Sequence, residues 1–126
     1  MDDLEALFAE SEKGLPEPDR LVSQAHRANL SGNLHLAAEL FSQAIAKGKD
    51  QAPVHRDLAQ VYLALGQPEQ AASHLKTALA LTPDMLEARG IHRALSEAYE
   101  AQGDLDRAQA HYRAFQAGVA GRSSEA

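Results

Sequence analysis

Residues 52–83, APVHRDLAQVYLALGQPEQAASHLKTALALTP, decide the fold. Val54, Leu58, Ala59, Val61, Tyr62 and Ala64 recur at three- and four-residue spacing, which gathers them on one stripe of a helix. That helix is expected to end near Gly66. Glycine takes the left-handed closing conformation without a side-chain penalty, and Gln67-Pro68 cannot extend the ladder because proline lacks the backbone N–H. A second stripe, Ala71, Ala72, Leu75, Ala78, Leu79 and Leu81, follows at once and stops at Thr82-Pro83. So short a link forces the two helices to run antiparallel, and neither can bury its face alone. The segment is a helical hairpin that requires neighbours.

The same features recur on both sides. Gly32, Ala37, Phe41 and Ala44 precede Gly66, Ala71, Leu75 and Ala78 by 34 residues. Tyr99, Gly103, Ala108 and Tyr112 follow Tyr62, Gly66, Ala71 and Leu75 by 37 residues, so three residues are inserted before the last copy's shared positions. A 34-residue unit of this content resembles the tetratricopeptide repeat. The central copy meets that pattern with His55, Leu58, Ala59, Tyr62, Ala71, Leu75 and Pro83; the third meets it with His92, Leu95, Ser96, Tyr99, Ala108 and Tyr112, without the proline. In the first copy Leu21, Ala25, Ala37 and Phe41 fit, while Gln24 and Ala28 replace the leucine and the tyrosine. The resemblance implies an all-α fold, a right-handed superhelix (α-solenoid) of helix-turn-helix units over about 18–51, 52–83 and 84–117.

Packing accounts for the recurring small residues. Ala37, Ala71 and Ala108 are expected where the helices of a hairpin cross most closely, so a larger side chain would overpack by about 1–3 kcal/mol. Ala44 and Ala78 are expected to face the next hairpin, whereas the third copy carries Phe115 there, which suits an end with nothing packed behind it. The insertion is expected to lengthen the third copy's first helix, from near Asp84 and with Gly90 inside it; residues 118–126 read as a disordered tail. Repeat arrays require covered ends. The candidates for the C-terminal end are Phe115, the N-terminal helix, a second copy of the chain, or a partner.

At 126 residues the chain is expected to form one domain, and without cysteine it has neither disulfides nor thiolate chemistry. Its charge is concentrated. Residues 1–19 hold seven acidic side chains against Lys13 alone, which equals the whole chain's net −6 and leaves the remainder neutral. Without a basic stripe, nucleic-acid binding has little to draw on. The acidic start resembles no secretory leader and no stretch is long and apolar enough to insert in a membrane, so a cytoplasmic protein is expected. Leu4, Leu7 and Phe8 lie at helical spacing in residues 1–17, which read as a short amphipathic helix and a linker. Three readings stand for that segment: a solvated tail, a cap on exposed repeat surface, or a linear docking motif.

The tetratricopeptide resemblance implies a concave groove, lined by the first helix of each hairpin, that holds a segment of another protein. Helical phase puts Val22, His26 and Asn29, then Arg56, Gln60 and Leu63, then Arg93, Glu97 and Glu100 on that face. Arg56 and Arg93 occupy equivalent places and could each fork onto a carboxylate of an acidic partner, or simply pair with Asp57 and Glu97. The lysine-and-asparagine clamp by which some members hold a C-terminal carboxylate has no counterpart, since its places are Val22, His26, Asp57, Gly90 and Ala94. No two of the six histidines lie one helical turn apart, and duplication explains His55 with His92 and His74 with His111. No metal, cofactor or catalytic site is expected, and Asn29-Leu30-Ser31 is a chance match to a glycosylation acceptor. The sequence thus reads as a non-enzymatic adaptor or scaffold for a protein partner. The alternative is a small chaperone that masks an aggregation-prone segment of a secreted or membrane-associated client. Self-association through the N-terminal helix or the uncapped C-terminal end is compatible with both.

Overall fold

The structure, a computed structural model, describes residues 3–125, apart from the side chains of Glu5 and residues 118–125. Its elements are α1 (Asp3–Glu12), α2 (Glu17–Leu30), α3 (Leu34–Ala46), α4 (Ala52–Ala64), α5 (Pro68–Leu81), α6 (Met85–Ala101) and α7 (Leu105–Glu125), with no strand among the described residues. No described helix is long and apolar enough to cross a membrane. The side chains of the tail expected over 118–126 lie outside the described set.

The chain divides into two compact units, residues 1–50 and 51–126. In unit 1, α2 starts with proline in its first turn and with Glu17 and Asp19 there, where carboxylates suit the positive end of the helix dipole. Its hairpin with α3 closes over Phe41, which is fully buried with Ala25, Ala37 and Ala44. Two surface ion pairs tie the start of α2 to the end of α3: Lys47 to Glu17 at 3.8 Å and Lys49 to Asp19 at 2.5 Å.

In unit 2, α4 and α5 form one hairpin and α6 and α7 another, and α5 packs on α6. Leu58, Val61, Leu75, Ile91 and Leu95 are its largest fully buried side chains. Ala71 and Ala108 are buried at the crossings, as their size requires. The insertion does lengthen the third hairpin's first helix, since α6 has 17 residues against 13 in α4. Asp84 caps α6, its carboxylate accepting from the Leu86 N–H at 2.9 Å.

All three hairpin turns use one device. Gly32, Gly66 and Gly103 have φ of +81°, +74° and +79°. The residue after each glycine donates its N–H back to a helical carbonyl: Asn33 to Ala28 at 2.8 Å, Gln67 to Tyr62 at 2.8 Å and Asp104 to Tyr99 at 2.9 Å. These bonds satisfy carbonyls that the end of a helix would otherwise leave without a partner.

Candidate functional site

The predicted binding residues fall in both units. On α2, Val22 is half-buried while His26 and Asn29 are exposed. The His26 ring stands edge-on to Phe41, 5.1 Å between centroids, so its position is set by the unit 1 core.

In unit 2, α4 presents exposed Gln60, half-buried Arg56, and Leu63, which packs against the core. α6 presents Arg93, Glu97 and Glu100, all exposed. Both arginines already have carboxylate neighbours. Arg56 lies 3.7 Å from Asp57 and 3.9 Å from Glu87, whose other oxygen accepts from the Thr82 hydroxyl at 3.1 Å. Arg93 lies 3.8 Å from Glu97, one turn along the same helix. Glu87 escaped the sequence reading because it stands 31 residues from Arg56 and meets it only when α6 packs beside α4. Glu100 also borders a hollow of about 330 Å³ between α6 and α7, with Ser96, Leu105 and Tyr112.

Within each hairpin of unit 2, a histidine of the first helix meets one of the second. Nδ1 of His55 lies 3.0 Å from Nδ1 of His74, and Nδ1 of His92 lies 3.0 Å from Nδ1 of His111. Tyr62 stacks on His74 and Tyr99 on His111, at 5.6 and 5.5 Å between centroids. In each pair one ring nitrogen must donate and the other accept, so the bond requires that the pair not be doubly protonated. Burial pushes His74 below the ordinary imidazole value, helped by His55. Burial does the same to His92, and to His111 with help from His92 and Lys76. No group of three or more metal-ligating side chains occurs among the described residues. The pairs are hairpin fasteners.

The N-terminal segment docks by a contact that the sequence reading missed. Leu4 and Leu7, expected to form its apolar stripe, are 60% and 66% exposed. The anchor is Glu12, a buried carboxylate that receives the Arg27 guanidinium at 2.6 Å and the Ser23 hydroxyl at 3.0 Å. Arg27 also lies over the Phe8 ring, 5.0 Å from its centroid. Between α1 and the α2–α3 hairpin remains an open cleft of about 710 Å³, floored by Gln24, Arg27 and Ala28 and walled by Leu4, Phe8 and Leu40.

A family model described as "Tetratricopeptide repeat" matches residues 28–89 and 64–115, together more than half of the chain. A "Protein SGT1 homolog" of Oryza sativa subsp. japonica is 35% identical over 68 residues, 54% of this chain but only 18% of that relative. Among solved structures, MamA superposes with a TM-score of 0.76 at 16% identity, over 86% of this chain and 61% of MamA. The second TPR of Spaghetti (RPAP3), solved bound to the HSP90 peptide SRMEEVD, superposes with a TM-score of 0.72 at 17% identity, over 85% of this chain and 96% of that one. At these identities the structures show the fold, which is the all-α tetratricopeptide class that the repeat spacing predicts.

Proposed function

Since the chain belongs to the tetratricopeptide repeat family, we propose that it is a non-enzymatic adaptor that holds a segment of a protein partner against the first helices of its hairpins. The observation that carries this reading is the face of unit 2, where Arg56 and Gln60 on α4 and Arg93 and Glu97 on α6 stand at equivalent repeat positions and leave the core. Val22, His26 and Asn29 hold the corresponding places on α2 in unit 1. The unit 2 face carries both signs, and each arginine is already beside a carboxylate, so a segment of mixed charge suits it better than a wholly acidic one. The absence of cysteine suits a reducing compartment such as the cytoplasm.

The peptide of the RPAP3 neighbour is not carried over. The clamp places hold Val22, His26, Asp57, Gly90 and Ala94, and Ala94 is buried. A peptide ending in MEEVD is therefore expected not to bind.

The test uses the partner recovered from the native cell and a variant with Arg56→Gln and Arg93→Gln. Neutral replacements are preferred to charge reversal, which would set a new carboxylate against Asp57 and Glu87. Affinity should fall about tenfold, the usual loss for one or two charge-assisted bonds, with the circular dichroism spectrum unchanged. Unchanged affinity would move the site off this face. If the partner is only kept soluble on co-expression and bridges to nothing further, the protein is a chaperone that masks a client segment.

A further inference from the structure

We propose that the C-terminal end of one copy, the Tyr112–Phe115 face of α7, docks into the unit 1 cleft of a second copy. Arg93 is the one residue this contact shares with the face proposed on α4 and α6. The starting point is the α5·α6 junction inside unit 2, which shows how one hairpin seats the next. There Leu75 and Ala78 of α5 share a core with Leu95 and Tyr99 of α6, and Lys76 lies over the Tyr99 ring at 5.6 Å.

Both halves of that junction recur without their mates. The equivalents of Leu95 and Tyr99 in unit 1 are Gln24 and Ala28, which floor the open cleft. The equivalents of Leu75, Lys76 and Ala78 on α7 are Tyr112, Arg113 and Phe115. The sizes are exchanged: inside unit 2 a small alanine serves a large tyrosine, whereas α7 offers a phenylalanine and the cleft offers an alanine. Bulk added on one surface matches bulk removed from the other, as a close-packed interface demands.

Exposure points the same way. Leu30, on the cleft, is 84% exposed, at a place where the other two hairpins carry Ala64 and Ala101. On the other surface Tyr112 is 47% exposed. Arg89 and Arg93 of α6 lie over Phe115 at 5.0 and 5.8 Å, and Arg113, two residues before Phe115, is exposed. The cleft is lined almost wholly by uncharged side chains, its one charge being Arg27, which Glu12 already holds, so the contact is an apolar one. The two surfaces differ, so the contact is heterologous and each copy can engage two others.

Sedimentation velocity over a concentration series tests this with two single-ended variants. Leu30→Asp blocks the cleft and Tyr112→Asp blocks the end; Arg113→Glu, at an exposed position, replaces the latter if Tyr112→Asp lowers the thermal midpoint. The wild-type chain should associate progressively. Each variant alone should stay monomeric at concentrations at least tenfold higher, and an equimolar mixture should form a one-to-one dimer and nothing larger. A wild-type chain that stays monomeric throughout, a single variant that associates like the wild type, or a mixture that stays monomeric would each overturn the proposal.

Discussion

A methyl group on Gly66 would meet no atom within 4 Å, yet it should destabilise the protein. The cost lies in the backbone: at φ +74° an L side chain crowds its own carbonyl, so Gly66→Ala should lose about 1–2 kcal/mol in urea unfolding. Gly90 also has open space around it but lies inside α6. There Gly90→Ala should gain about 0.5–1 kcal/mol through helix propensity. Equal effects at the two positions would refute the turn assignment. Glu12 shows the opposite kind of site. It sits in a segment crowded with carboxylates and reads as one more solvated charge, while Arg27, its partner, is 15 residues away on another helix. Nothing periodic marks the pair, so the sequence could not show it. Glu12→Gln removes the charge that the Arg27 guanidinium needs, and hydrogen-exchange protection of α1 should collapse while α4–α6 keep theirs. Retained protection over residues 3–12 would mean that Phe8 alone holds the segment.

Among the elements, the histidine-fastened hairpins of unit 2 should be pH-sensitive. His74, His92 and His111 titrate below the ordinary imidazole value in the fold, so the unfolded chain binds more protons near neutrality. Stability is then fully present above about pH 6.5 and is lost as pH falls from there through the folded values. The thermal midpoint should drop between pH 7.5 and 5.5, and His74→Asn with His111→Asn should flatten that drop. An undiminished drop in the double variant would show that other groups carry it. The repeat equivalence of these four histidines was visible in the sequence, but their pairing was not. Each pair spans 19 residues and two helices, so no single-helix pattern contains it. The lengthening of α6, by contrast, could be read from the insertion, because three residues add nearly one turn.

For the molecule as a whole, the hairpins and their turns were legible because glycine, proline and alanine hold fixed places in a 34-residue period. The helix face proposed for binding was legible as a set of positions but not in its electrostatics. Asp57 was readable as a neighbour of Arg56, but Glu87 was not, because α6 brings it there only in the fold. The first and last hairpins were half legible: Phe115 marked the last, while Gln24 and Ala28, in place of leucine and tyrosine, read only as a degenerate first copy. The central claim is that the first helices of the hairpins hold the partner segment and α5 does not. Photo-crosslinking states it most directly, with the probe at Gln60 on α4 or Glu97 on α6 against Ser73 or Glu69 on α5, all exposed positions. Gln60 and Glu97 should capture the same partner in cells, and Ser73 and Glu69 should capture none; capture from α5 alone would contradict the account.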